Sequence, residues 1–165
     1  MIGSSIGAAH ITAAIAALVL GAMVIGAAKA TPFHRMLGAG YVAAMIIANL
    51  TALGLYRLTG HFEPFHVLAL VSLAILVHGI AVVLRRRPGW LLVHSRSMAW
   101  SYISVSAAAC SEIVVRLFAK YGMIAPGWQI VAAGLVVAVL STAFGCLLLP
   151  RIQRTASAYA ANHQP

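Results

Sequence analysis

The chain has 165 residues, of which 62% are hydrophobic and only 8% charged, against roughly 25% charged in an ordinary soluble domain. A single domain of this length cannot hide so much apolar surface in a soluble core, so the composition excludes a soluble globular protein and requires a bilayer. The formal charge of +9 does not indicate nucleic acid, because the basic residues stand at the ends of apolar runs and not in one patch.

In chain order, five segments are long enough to span a hydrocarbon core that needs about 20 helical residues. They lie near 6–28, 36–58, 64–84, 95–118 and 124–149. The first lacks a basic n-region and is longer than a signal-peptide core, so it reads as a retained span, with cleavage after Ala30 as the alternative. Connections are short, which makes successive helices antiparallel neighbours. Pro32, Pro64, Pro88, Pro126 and Pro150 mark expected helix ends, where proline is tolerated. The expectation is an all-α, polytopic transmembrane bundle over residues 1–150, followed by a short polar, fraying tail over 151–165. Cys110 and Cys146 fall in different spans, toward opposite sides, and are expected as free thiols.

Orientation follows the basic residues. Lys29, Arg35, Arg85, Arg86, Arg87, Arg96, Arg151 and Arg154 gather on one side, and Arg57, Arg116 and Lys120 on the other. Eight against three predicts five spans with the N-terminus outside and the C-terminus cytoplasmic. Trp90 and Trp100 then lie toward the inner interface, and Phe65, Tyr121 and Trp128 toward the outer one.

A helical turn of about 100° per residue traces the faces. In the second span His34, Gly38, Tyr41, Met45, Asn49, Ala52 and Tyr56 share one face; in the fourth, His94, Met98, Ser101, Val105, Ala108, Glu112 and Arg116 do. Polar groups facing lipid are costly, so both faces are expected to point inward. Small-residue faces, His10-Ala14-Ala17-Gly21-Ala28 in the first span and Gly134-Ala138-Ser141-Gly145 in the fifth, suit close helix packing and offer a route to oligomers.

The polar side chains fall at two depths. The outer level holds His10, His66, Glu112 and Arg116, with His61 and Glu63 in the neighbouring loop. The inner level holds His34, His94 and, deeper, His78, with Arg35 and Arg96 beside them. His61 and His163 read as interfacial residues. For the others three chemistries are open. Paired histidines at one depth suit b-type haem, with arginines for its propionates, in electron transfer or quinone chemistry. His10, His66 and Glu112 would suit zinc or another divalent metal in an intramembrane enzyme. Without a cofactor, Glu112 and Arg116 form an i,i+4 ion pair, the histidines bond between helices, and the protein is an assembly factor, accessory subunit or small carrier. Haem is the leading single expectation. Nucleophile triads, P-loops and dinucleotide fingerprints are absent from the sequence.

Two stretches repeat a His-Arg-Met-Tyr order, "KATPFHRMLGAGYVAAM" and "HSRSMAWSY". With "FHVLALVSL", they resemble the bacterial membrane proteins grouped as domain of unknown function 2306, over about residues 8–120. The matching positions are Lys29, His34, Arg35, Gly38, Tyr41, His66, His94, Arg96, Met98, Tyr102 and Arg116. That resemblance implies a small helical bundle in the bacterial inner membrane with no assigned activity. More distantly, the arrangement is similar to four-helix membrane cytochromes of the b561 type.

Overall fold

The apolar runs and the prolines between them become five helices in the computed structural model, which describes residues 5–55, 62, 64–123 and 128–162. They are α1 (Ser5–Gly26), α2 (Pro32–Leu53), α3 (Pro64–Arg85), α4 (Trp90–Lys120) and α5 (Trp128–Asn162). Arg57, His61, Glu63 and His163, with Tyr56, lie outside the described residues. Helices α1 to α4 are each long and apolar enough to cross a membrane; the described apolar stretch of α5, Val131–Leu147, is shorter.

Two helices begin earlier than expected, and both shifts concern the histidines. Thr31 caps α2 by accepting the His34 backbone N–H at 3.1 Å, and Pro32 follows at the first helical position, where its missing N–H costs nothing. His34 and Arg35 therefore stand in the first turn of α2. Likewise α4 begins at Trp90, so His94 and Arg96 are inside the helix. At the end of α1, Lys29 Nζ donates to the carbonyls of Val24 (2.9 Å) and Ile25 (2.8 Å), satisfying acceptors that the helix leaves open. Burial in that turn lowers the Lys29 pKa from its ordinary value.

The other difference is at the C-terminus. Pro150 was expected to end the last helix, but α5 runs through it to Asn162. The ring removes one backbone hydrogen bond. Good helix formers follow, in "RIQRTASAYAAN", and they carry the helix into the segment expected to fray.

Helix α1 packs on α2, α2 on α3, α3 on α4, and α1 closes the ring on α4, while α5 lies against α4 outside that ring. Thus α1 stands across the ring from α3, and α2 across from α4. The middle of the ring is filled by Ala17, Tyr41, Ala44, Met45, Leu76 and Val105, with every ring helix contributing. The small-residue faces pack at Ala17 and Gly21 on α1 and at Gly134, Ala138 and Gly145 on α5, whereas Ala28 lies beyond the end of α1 and is exposed. Between α4 and α5, Ser111 Oγ donates to the Gly134 carbonyl at 2.7 Å.

One tight seam lies at Gly21. A Cβ there would overlap the Tyr102 ring and stand 3.0 Å from Tyr41, whereas one at Gly38 would meet nothing within 4 Å. Gly21→Val should therefore destabilise the bundle by about 1–3 kcal/mol through overpacking, and Gly38→Ala should be neutral or slightly stabilising. Thermal unfolding of the two variants in detergent, compared with the parent, measures the difference.

Candidate functional site

The two repeated stretches meet at one end of the ring, which also carries the exposed Arg35, Arg85, Arg86, Arg87 and Arg96. We call this the basic end. His34 reaches it from α2 and His94 from α4, across the ring from each other. His34 lies within electrostatic reach of Lys29 and His94. Its Nδ1 is buried and has no hydrogen-bond partner. A backbone carbonyl only accepts, so a ring nitrogen bonded to one carries the proton. His94 Nδ1 lies 3.0 Å from the Gly79 carbonyl, and by the same reasoning it donates, which leaves Nε2 as the lone-pair nitrogen. The Trp90 ring flanks His94, with centroids 6.5 Å apart.

A polar bridge closes this end from the middle of the ring. Ser101 Oγ donates to the Met98 carbonyl at 2.9 Å, so its proton is committed, and Tyr41 is the donor in the 2.8 Å contact between the two hydroxyls. Tyr102 donates to the Leu18 carbonyl at 3.3 Å, and its ring stands 6.5 Å from that of Tyr41. The tyrosines of the two repeats are thus part of the packed core, not of an open site.

At the opposite end, His10 comes from α1 and His66 from α3, again across the ring. His10 Nδ1 lies 3.0 Å from the Ala48 carbonyl and 3.2 Å from Thr51 Oγ1. His66 is buried and stacks on Phe62 with ring centroids 5.0 Å apart. The possible metal trio of His10, His66 and Glu112 is not assembled: among the described residues no three His, Cys, Asp or Glu side chains gather.

Two expected placements change. Glu112 was expected to point into the bundle in line with His94. It does pair with Arg116, one of its expected partners, Arg116 Nε lying 2.9 Å from its carboxylate, but both side chains are 41% exposed. The reason is that the buried face of α4 shifts along its length. Ser97, Ser101 and Val105 face the ring, but farther along Ser111 and Val115 turn to Gly134 of α5, which leaves Glu112 beside that contact. His78, expected to be buried, is exposed on α3 and lies 3.1 Å from Ser97 Oγ. Both cysteines are free thiols, as expected. Sequence reasoning missed Ser97 and Ser111; the spacing of Ser97 and Ser101, one helical turn apart, is the signal that marks a hydroxyl-bearing seam.

Four long apolar helices, an all-helical ring and polar groups bonded between helices define a small polytopic membrane protein. The chain matches the family described as predicted membrane protein (DUF2306) over residues 7–149 and belongs to it. That match passes the first four helices and takes in the apolar part of α5. No curated protein and no solved structure matches the chain.

The placement of Glu112 and Ser111 sets an order of costs. Removing an exposed i,i+4 ion pair forfeits about 0.2–0.5 kcal/mol, so Glu112→Gln should shift the melting temperature little. Ser111→Val both removes the bond to Gly134 and presses a branched side chain on that glycine, and should cost about 1–3 kcal/mol. Thermal scans of the two variants in the same detergent give the order directly.

Proposed function

We propose that this protein is a five-span protein of the bacterial inner membrane, N-terminus outside and C-terminus cytoplasmic, that binds b-type haem and moves electrons along its four-helix ring. One observation carries the reading. At each end the two histidines come from helices that stand across the ring from one another: His34 and His94 at the basic end, His10 and His66 at the other.

The basic end fits the group best. His34 keeps a buried ring nitrogen without a hydrogen-bond partner, and the Gly79 carbonyl holds His94 in the tautomer that presents Nε2. A ring N–H given to a backbone carbonyl is the usual support of a metal-ligating histidine. Gly38, one turn from His34, leaves open space beside it. Arg35 and Arg96 supply the positive charge that propionates require, and Lys29 adds to it. Bound haem would contribute a one-electron iron couple. The chain's own residues orient the ligands and, through Tyr41, Ser101, Met45 and Leu76, keep water out of the mid-ring.

Protein purified from cells with ample haem should show a Soret band and a reduced-minus-oxidised α-band. His34→Ala and His94→Ala should each abolish the basic-end haem and leave the helical circular dichroism unchanged. A colourless parent protein that takes up no added haemin overturns the reading. That outcome favours the second one, a cofactor-free assembly factor, accessory subunit or small carrier, which rests on the same cross-helix bonds of His10, His78 and His94. For orientation, a reporter fused after Pro165 should be active only as a cytoplasmic fusion; periplasmic activity would reverse the topology.

A further inference from the structure

His78 is the residue that the haem reading leaves unused, and its position is costly. It stands seven residues inside the Arg85 end of α3, about 10 Å along the helix axis, within a span, yet its ring is exposed. An ionisable side chain open to hydrocarbon is expensive unless something hydrogen-bonds it. Ser97 takes one ring nitrogen, at 3.1 Å. The other side of the ring borders a cleft of about 620 Å³ between α3 and α4, which opens outward from the ring. Its wall is apolar, with Ala74, Ile75 and the Trp100 indole, and its polar groups are His78, Ser97 and Arg96. The volume lies in the range of small-molecule sites, about 300–1,000 Å³.

We infer that this cleft binds a lipid-soluble molecule of the quinone class, an apolar body carrying a compact, uncharged head with hydrogen-bonding oxygens. Depth and charge select that chemistry. An anionic phospholipid headgroup stays at the membrane surface, where Arg85, Arg86 and Arg87 are exposed to meet it. The imidazole of His78 lies a further turn or two inside, where a charged headgroup is not carried but a neutral carbonyl on an apolar ring is. His78 can donate to or accept from such an oxygen according to tautomer, Arg96 can donate, and Trp100 offers a flat apolar face. The cleft is reached from the outward side of α3 and α4, where Ala74, Leu92, Val93 and Arg96 are exposed. Binding here does not require haem.

The test uses full-length protein carrying Trp90→Phe and Trp128→Phe, in nanodiscs of zwitterionic lipid, so that emission reports Trp100 alone. Titration with a decyl-substituted benzoquinone should quench that emission saturably. His78→Leu should weaken binding roughly three- to tenfold, the loss of one hydrogen bond. Ala74→Phe, which fills the cleft and leaves every polar group in place, should abolish saturable quenching. Adding an anionic phospholipid to the nanodisc should leave the affinity unchanged. Quenching that rises linearly without saturation, or that is identical in Ala74→Phe, overturns the proposal, and displacement by the anionic lipid overturns it in favour of a headgroup site. Haem is read separately by its Soret band, so either reading can fail while the other stands.

Discussion

The hydroxyl contact between Tyr41 and Ser101 crosses the ring from α2 to α4, and much of the structure is arranged around it. Inside a bilayer no water is present to satisfy a tyrosine or serine hydroxyl, so each must find a protein partner or cost several kcal/mol. Here the chain of donors is complete. Tyr41 donates to Ser101, and Ser101 donates to the Met98 carbonyl on its own helix. That bridge fixes the relative height of α2 and α4. It also brings Tyr41 and Tyr102 onto the bare backbone of Gly21, which locks α1 into the same seam.

From that seam the two repeated stretches acquire a common logic. Each opens a helix with His and Arg at the basic end and places a tyrosine about two turns deeper. Arg35 stays exposed, as an anchor at a membrane surface should, and Arg96 is exposed beside the α3–α4 groove. The tyrosines meet in the core, and the histidines occupy the level between. A feature that looks in the sequence like one repeated motif is therefore three physical jobs at three depths. The middle level, His34 and His94, keeps one ring nitrogen on each histidine that the packing does not use.

The helices and their neighbours were legible because span length, proline placement and small-residue spacing all point to the same arrangement. The inward faces of α1 and α2 were read correctly at Ala17, Gly21, Tyr41, Met45 and Asn49. Helix α4 follows its expected face at Ser101 and Val105 but departs from it at Ala108, Glu112 and Arg116, and the reason is physical. Periodicity assumes that one direction is inside along the whole helix, but α4 is shared between the ring and α5. Projected over 18 residues from His94, Glu112 lands in line with a ring that α4 has by then turned away from. The start of α2 was misjudged for a local reason, since Thr31-Pro32 forms a capped first turn that an apolar window passes over.

Sharing of α4 also explains where polar side chains can remain. Where the helix faces the ring, its hydroxyls are tied to other helices or to its own carbonyls. Where it faces α5, Ser111 serves the contact with Gly134. Two further stretches of its surface carry charged side chains within the span. One is the Glu112–Arg116 pair, which neutralises its own charge. The other is the strip of Arg96 and Ser97, which meets His78 of α3. The first is self-sufficient in a bilayer; the second holds an imidazole and a guanidinium beside an apolar cleft, with a hydroxyl bonded to the imidazole. The head of a neutral polar molecule, as inferred for this groove, would find hydrogen-bond partners along that strip.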